Sequence, residues 1–173
     1  MNVADSRRLA SALEMMGYEP TIKPKDADVI ILNTCVVRQS AENKAIGRLS
    51  SLRPLKDKNP DLVISLMGCL IGVRGNQKIL DRFPWVDVAS PPSDPEPLLR
   101  FLTERSAKSR SQADQTEVNA LLDGELTLPK AEQQKLVSAY IPIVYGCSHA
   151  CTYCIIPAKR GIEHSRPYSE ILQ

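Results

Sequence analysis

A chain of 173 residues with 43% apolar and 24% charged residues has the make-up of an ordinary globular protein, which excludes disordered, collagen-like and fibrous classes. Its longest apolar run, residues 29–32, is far short of the roughly 20 residues a membrane helix needs, and no charged-then-apolar opening marks a signal peptide, so a cytoplasmic address away from membranes is expected. Twenty-two Lys and Arg against 20 Asp and Glu leave a formal charge of +2, so nucleic-acid binding would need a local patch, and the length excludes a whole eight-fold β/α barrel of roughly 250 residues.

The first hundred residues alternate between helical and strand-like patterns. Leu9, Leu13 and Met16 recur at helical spacing behind Asp5 and Ser6, which can cap a helix start, and Gly17 supplies a stop. Val29, Ile30, Ile31 and Leu32 form a short β-branched run, as in a strand covered on both faces. Ala41, Ala45, Ile46, Leu49 and Leu52 share one face of a second helix, predicted to end near Pro54. Residues 62–67 predict a second buried strand, 75–80 a short helix and 86–88 a third strand. Strands separated by helical stretches imply a parallel sheet with right-handed crossovers, so the N-terminal region, residues 1–106, is expected to be an α/β sandwich.

Residues 90–97 hold four prolines, cannot sit inside a sheet, and lead into a helix predicted for 96–104. Residues 103–117 contain only two apolar side chains, both alanines, and 107–136 are taken as a solvated linker whose later part has no assigned structure. A strand is predicted for 137–144, followed at once by Gly146 and a cluster of cysteines that opens a second region, 137–173.

Cys147-x3-Cys151-x2-Cys154 places three soft thiolates in one short loop. Such donors favour iron-sulfur clusters, zinc or copper(I). Three protein ligands would leave one iron of a four-iron cluster open to a substrate or cofactor. Zinc held with His149 or His164 is an alternative, although the paired C-x2-C units of common structural sites are lacking. A thioredoxin-like pair at Cys151 and Cys154 would leave Cys147 without a purpose. Tyr153, taken alone, could equally be core packing. Cys35 and Cys69 each lie just past a predicted strand, 34 positions apart, which puts them in neighbouring loops on one sheet edge. Free cysteine is otherwise often a small buried hydrophobe.

The cluster with Tyr153, followed by Ile155-Ile156-Pro157, Arg160-Gly161 and Ser165-Arg166-Pro167, resembles the signature of radical S-adenosylmethionine enzymes, in their methylthiotransferase branch. Asn33-Thr34-Cys35 with Arg38 and Ala41-Glu42, then Gly68-Cys69, is similar to that branch's N-terminal domain. The resemblance implies a methylthiotransferase α/β domain followed by the first strand and cluster loop of an incomplete radical S-adenosylmethionine β/α barrel. It implies two four-iron clusters. The first would be ligated by Cys147, Cys151 and Cys154, with Tyr153 contacting the cofactor; the second would take Cys35 and Cys69. S-adenosylmethionine would be cleaved to a 5'-deoxyadenosyl radical, with electrons from a flavodoxin or ferredoxin, in a monomer. The Asn-Thr-Cys-x-x-Arg pattern is nearer the tRNA-modifying branch, which methylthiolates C2 of N6-dimethylallyladenosine beside the anticodon. Arg38, Arg160 and Arg166 are the candidate substrate contacts, with Lys159 and His164 in the same basic segment.

Sister enzymes acting on threonylcarbamoyl-adenosine or a ribosomal protein aspartate, and a non-catalytic metal-binding module, are the alternatives. The family pattern opens with a strand and a Gly-Cys pair that have no counterpart here, and only 19 residues follow Cys154. The chain is therefore expected to be truncated at both ends, to hold a second cluster poorly, and not to turn over alone. Gly72 and Gly75 form no phosphate loop, because no Gly-Lys-Ser/Thr follows them.

Overall fold

The structure is a computed structural model that describes residues 2–107, 129 and 140–172. The chain order is α1 (Asn2–Met15), a 3-10 turn (Pro24–Asp26), β1 (Val29–Thr34), α2 (Gln39–Lys58), β2 (Val63–Gly68), α3 (Gln77–Arg82), β3 (Val88–Ser90) and α4 (Glu96–Ala107). Then come β4 (Val144–Tyr145), α5 (Ile156–Arg160), β5 (His164–Ser165) and α6 (Tyr168–Ile171).

β1, β2 and β3 form a parallel sheet in that order, with Val29 opposite Val63 and Ser65 opposite Val88. The period of two along each strand divides its side chains between two layers. Val63, Met67 and Val88 meet Leu9 and Ala12 of α1 and Leu98, Leu99 and Leu102 of α4, with Val29 and Ile31 at the margin. On the other face Ile64 packs with Leu52 and Leu62, while Leu66 packs with Leu49, Ile79 and Phe83 from α2, α3 and the turn beyond. β2 is buried along its whole length, so its sequence is apolar almost without a break. The predicted α/β sandwich is what the chain forms here.

Several boundaries differ from expectation: α1 already includes Asn2, so Asp5 and Ser6 lie within it and do not cap it, α3 lies two residues later than predicted, and α4 runs on to Ala107. α2 runs through Pro54 to Lys58. Proline removes one helical N–H, but the turn beyond it is anchored: Leu55 packs on the Leu52, Leu62 and Ile64 cluster, and Lys56 Nζ donates to the Leu62 carbonyl at 2.6 Å. Lys56 also donates to both Asp87 oxygens at 2.8 Å, and Asp87 accepts from the Ile64 amide at 2.8 Å. The third strand lies two residues later than predicted, because Val86 and Trp85 pack against the α2 side before the chain enters the sheet.

The strand predicted for 137–144 falls partly outside the described residues, and its described part is regular only at Val144–Tyr145. That strand pairs antiparallel with His164–Ser165. Pro142, without an N–H, cannot serve a ladder, and its carbonyl is taken by the Arg166 guanidinium at 2.9 Å. The linker assigned to 107–136 lies, apart from residues 107 and 129, outside the described residues.

Candidate cysteine site at the carboxyl edge of the sheet

In a parallel sheet with crossover helices, every strand delivers its following loop to the same edge. Thr34 and Gly68 are cross-strand partners, so Cys35 and Cys69 are the next residues of adjacent strands. The pairing continues past the strands, for the Cys69 amide donates to the Thr34 carbonyl at 3.1 Å. Thr34 Oγ1 donates to the Met67 carbonyl at 2.8 Å and accepts from the Leu70 amide at 3.2 Å, both buried. This one hydroxyl ties the two loops together.

Gly68 has φ +103, and a Cβ there would lie 2.5 Å from the Thr34 carbonyl oxygen and 2.9 Å from its nitrogen. Glycine is what lets β1 and β2 stay this close where they leave the sheet. Cys35 is half-buried, but Cys69 is only 1% exposed and packs among Val36, Leu66 and Leu70.

α1 brings its N-terminal turn to the same edge. Asn33 Nδ2 donates to Ser6 Oγ at 3.0 Å, and Ser93 Oγ donates to Asp5 Oδ2 at 2.8 Å. Arg8 donates to the Ser93 carbonyl at 2.5 Å, holding a residue with φ +64. Burial pushes the Asp5 carboxyl above the ordinary aspartate range, against the opposing pull of the Ser93 hydroxyl and of Arg8 and Arg160.

The Cys147 loop reaches this edge through main-chain contacts. The Val73 amide donates to the Lys159 carbonyl at 3.0 Å, and the Cys147 amide donates to the Gly161 carbonyl at 3.1 Å. Gly72, with φ +70, lets the Lys159 stem lie against it: a Cβ would stand 3.3 Å from Lys159 Cδ. Within the loop the Cys154 amide donates to the Cys151 carbonyl at 3.1 Å. Cys147 and Cys154 are half-buried and Cys151 is exposed. Among the described residues no three His, Cys, Asp or Glu side chains are grouped as ligands of one ion. Three soft donors in one braced, accessible loop fit an iron-sulfur cluster in kind. Cys35 and the core-packed Cys69 do not fit a second cluster as they stand.

Tyr153 is 90% exposed and is not core packing. Arg38 is exposed and occupies the N-cap of α2, its carbonyl accepting from the Ala41 and Glu42 amides at 2.9 and 3.2 Å. Arg160 is half-buried near Asp5. Arg166 donates through its guanidinium to the Pro142 carbonyl, and its amide donates to the Ile143 carbonyl at 2.9 Å. His149 and His164 are exposed. Sequence reasoning named Thr34 and Gly68 only as parts of a motif and did not name Val73; the importance of all three is a matter of long-range partners.

Residues 1–90 match the model of the uncharacterized protein family UPF0004. The chain belongs to that family. The chain is also similar to proteins named tRNA-2-methylthio-N(6)-dimethylallyladenosine synthase. That of Roseiflexus sp. is 41% identical over 174 residues, covering 100% of this chain and 34% of the relative. That of Dictyoglomus thermophilum is 38% identical over 173 residues, covering 100% of this chain and 38% of the relative. That of Clostridium beijerinckii is 36% identical over 181 residues, covering 99% and 37%. The chain thus spans little more than a third of the length of these curated relatives. No helix among the described residues is long and apolar enough to cross a membrane.

Proposed function

We propose that this chain serves in tRNA methylthiolation at C2 of N6-dimethylallyladenosine beside the anticodon, as part of a radical S-adenosylmethionine enzyme. The observation that carries this reading is the 41% identity to a synthase of that name, which extends across the whole chain and so takes in the three-thiol loop as well as the α/β sandwich.

Cys147, Cys151 and Cys154 would hold a four-iron cluster, which when bound supplies one-electron cleavage of the S-adenosylmethionine sulfonium. The chain's own share is positional. The Cys147–Gly161 and Val73–Lys159 bonds fix the thiol loop against the sheet edge, the turn from Cys151 to Cys154 sets the spacing of two donors, and Tyr153 offers an exposed ring beside the last of them. Cys35 would contribute a thiol to a second centre, and Cys69 would do so only after leaving its core packing; no step is derived through that centre. The division into an α/β region (1–106), a linker (107–136) and the opening of a β/α barrel (137–173) belongs to the same proposal, as do a cytoplasmic monomer and a flavodoxin or ferredoxin donor.

The test is anaerobic reconstitution of the 173-residue chain with iron and sulfide, followed by metal counting. About four irons, lost in the Cys147→Ala, Cys151→Ala, Cys154→Ala triple variant, supports the reading. Tight zinc with no iron overturns it in favour of a metal-binding module. Release of 5'-deoxyadenosine on adding reductant and S-adenosylmethionine then tests the radical chemistry.

A further inference from the structure

The chain as a whole is nearly neutral, yet its charges are not evenly placed. No Asp or Glu occurs between positions 29 and 41, between 62 and 80, or between 140 and 162. These three segments hold the cysteines and meet at one sheet edge, and they carry Arg38, Arg74, Lys78, Lys159 and Arg160.

The Val73–Lys159 hydrogen bond of 3.0 Å joins positions 86 residues apart, so that Arg74 directly follows the residue bonded to Lys159. Arg74 and Lys78 are exposed, and among the described residues neither they nor the Lys159 ammonium has a carboxylate partner. Of the acids around these segments, Asp5 is buried on Ser93, while Asp81 and Asp94 accept from the neutral Gln77 side-chain amide and Glu96 main-chain amide and keep their charge. Glu163, beyond Gly161, and Asp81, three residues after Lys78, are exposed carboxylates at the margins of these segments. Arg74, Lys78 and Lys159, without carboxylate partners among the described residues and on a rim with more cations than acids, suit a polyanion, whose condensed counterions are released on binding.

We propose that Arg74 and Lys159, supported by Lys78, form an RNA phosphodiester contact at the rim of the cysteine site. This rests on the tRNA reading above and adds to it a residue, Arg74, from outside the basic segment after the cysteines. The cations hold the backbone and set the RNA's register, leaving base recognition to other groups.

The experiment measures retention of a tRNA transcript by the whole 173-residue chain on filters across a salt series. Arg74→Glu should weaken binding several-fold and reduce the slope of log affinity against log salt by about 1. Lys58→Glu, at the opposite end of α2 and with the same change in net charge, should leave both unchanged. Equal effects of the two substitutions, or no retention by the unaltered chain, overturn the site. If Arg74→Glu shifts the unfolding midpoint, the milder Arg74→Gln carries the comparison, with the same slope change expected. Iron reconstitution is scored separately: a chain that binds RNA through Arg74 but takes up no iron would sink the enzymatic reading while leaving this site standing.

Discussion

Gly68→Ala should be far more damaging than its size suggests, and the structure says by how much. At φ +103 a Cβ carries backbone strain of about 1–3 kcal/mol. The same Cβ would meet the Thr34 carbonyl oxygen at 2.5 Å, the Thr34 nitrogen at 2.9 Å and Asn33 Oδ1 at 3.0 Å. Two of these are main-chain atoms of a paired strand and cannot swing aside, so β1 and β2 must part locally, an overpacking cost of about 1–3 kcal/mol more. A total of about 2–6 kcal/mol is a large share of the roughly 5–15 kcal/mol by which domains are folded. Gly75→Ala is the matched control: its φ is +74, but nothing lies within 4 Å of its Cβ, so only the strain remains. Urea unfolding can be followed through the chain's one tryptophan, Trp85, which packs edge-on against Phe83 at 5.3 Å and donates to the Leu49 carbonyl at 3.2 Å. Midpoint losses that are equal for the two alanines would refute the argument from close strand approach.

Thr34→Val, isosteric but without the hydroxyl, should cost about 1–3 kcal/mol in the same assay, since it strands the Leu70 amide. Asp87→Ala should cost about 3 kcal/mol or more, because it leaves the Lys56 ammonium, 16% exposed, and the Ile64 amide with lost partners. Ser65→Ala should instead stabilise, by about 1 kcal/mol, for Ser65 Oγ is fully buried with no hydrogen-bond partner among the described residues. For pH, a carboxyl raised by burial binds its proton more tightly folded than unfolded, so Asp5 stabilises below the ordinary aspartate range and that contribution is lost as pH rises through its elevated folded value. Asp5→Asn should flatten this fall in urea midpoints measured from acid to neutral pH, and an unchanged profile would count against it.

The apolar patterning made the sandwich legible, because both layers and the central strand are built from local runs whose period tells helix from strand. The neighbouring positions of Cys35 and Cys69 were legible too, since one strand-helix-strand repeat separates them and Thr34 pairs with Gly68. What escaped depends on distant partners. Local rules stop α2 at Pro54, but Lys56 reaching Asp87, 31 residues on, carries it further. The run before the cysteines reads as one strand in the sequence, but in its described part, residues 140–144, only Val144 is in a strand, the two-residue strand Val144–Tyr145 that pairs with β5. The junction of the two cysteine regions at Val73 has no side-chain signature, being a bond between main-chain atoms. Nor does the sequence show that the Arg166 guanidinium donates to the Pro142 carbonyl, 24 residues back.

Of the described side chains after residue 139, only that of Pro142 is buried. The thiol-bearing segment therefore lacks a hydrophobic interior of its own and owes its shape to a handful of amide bonds, which open at little cost. Filling such a segment with metal would convert ligand affinity into order, so amide hydrogen exchange around Cys147 should slow on loading far more than exchange in β2, whose protection comes from the folded sandwich.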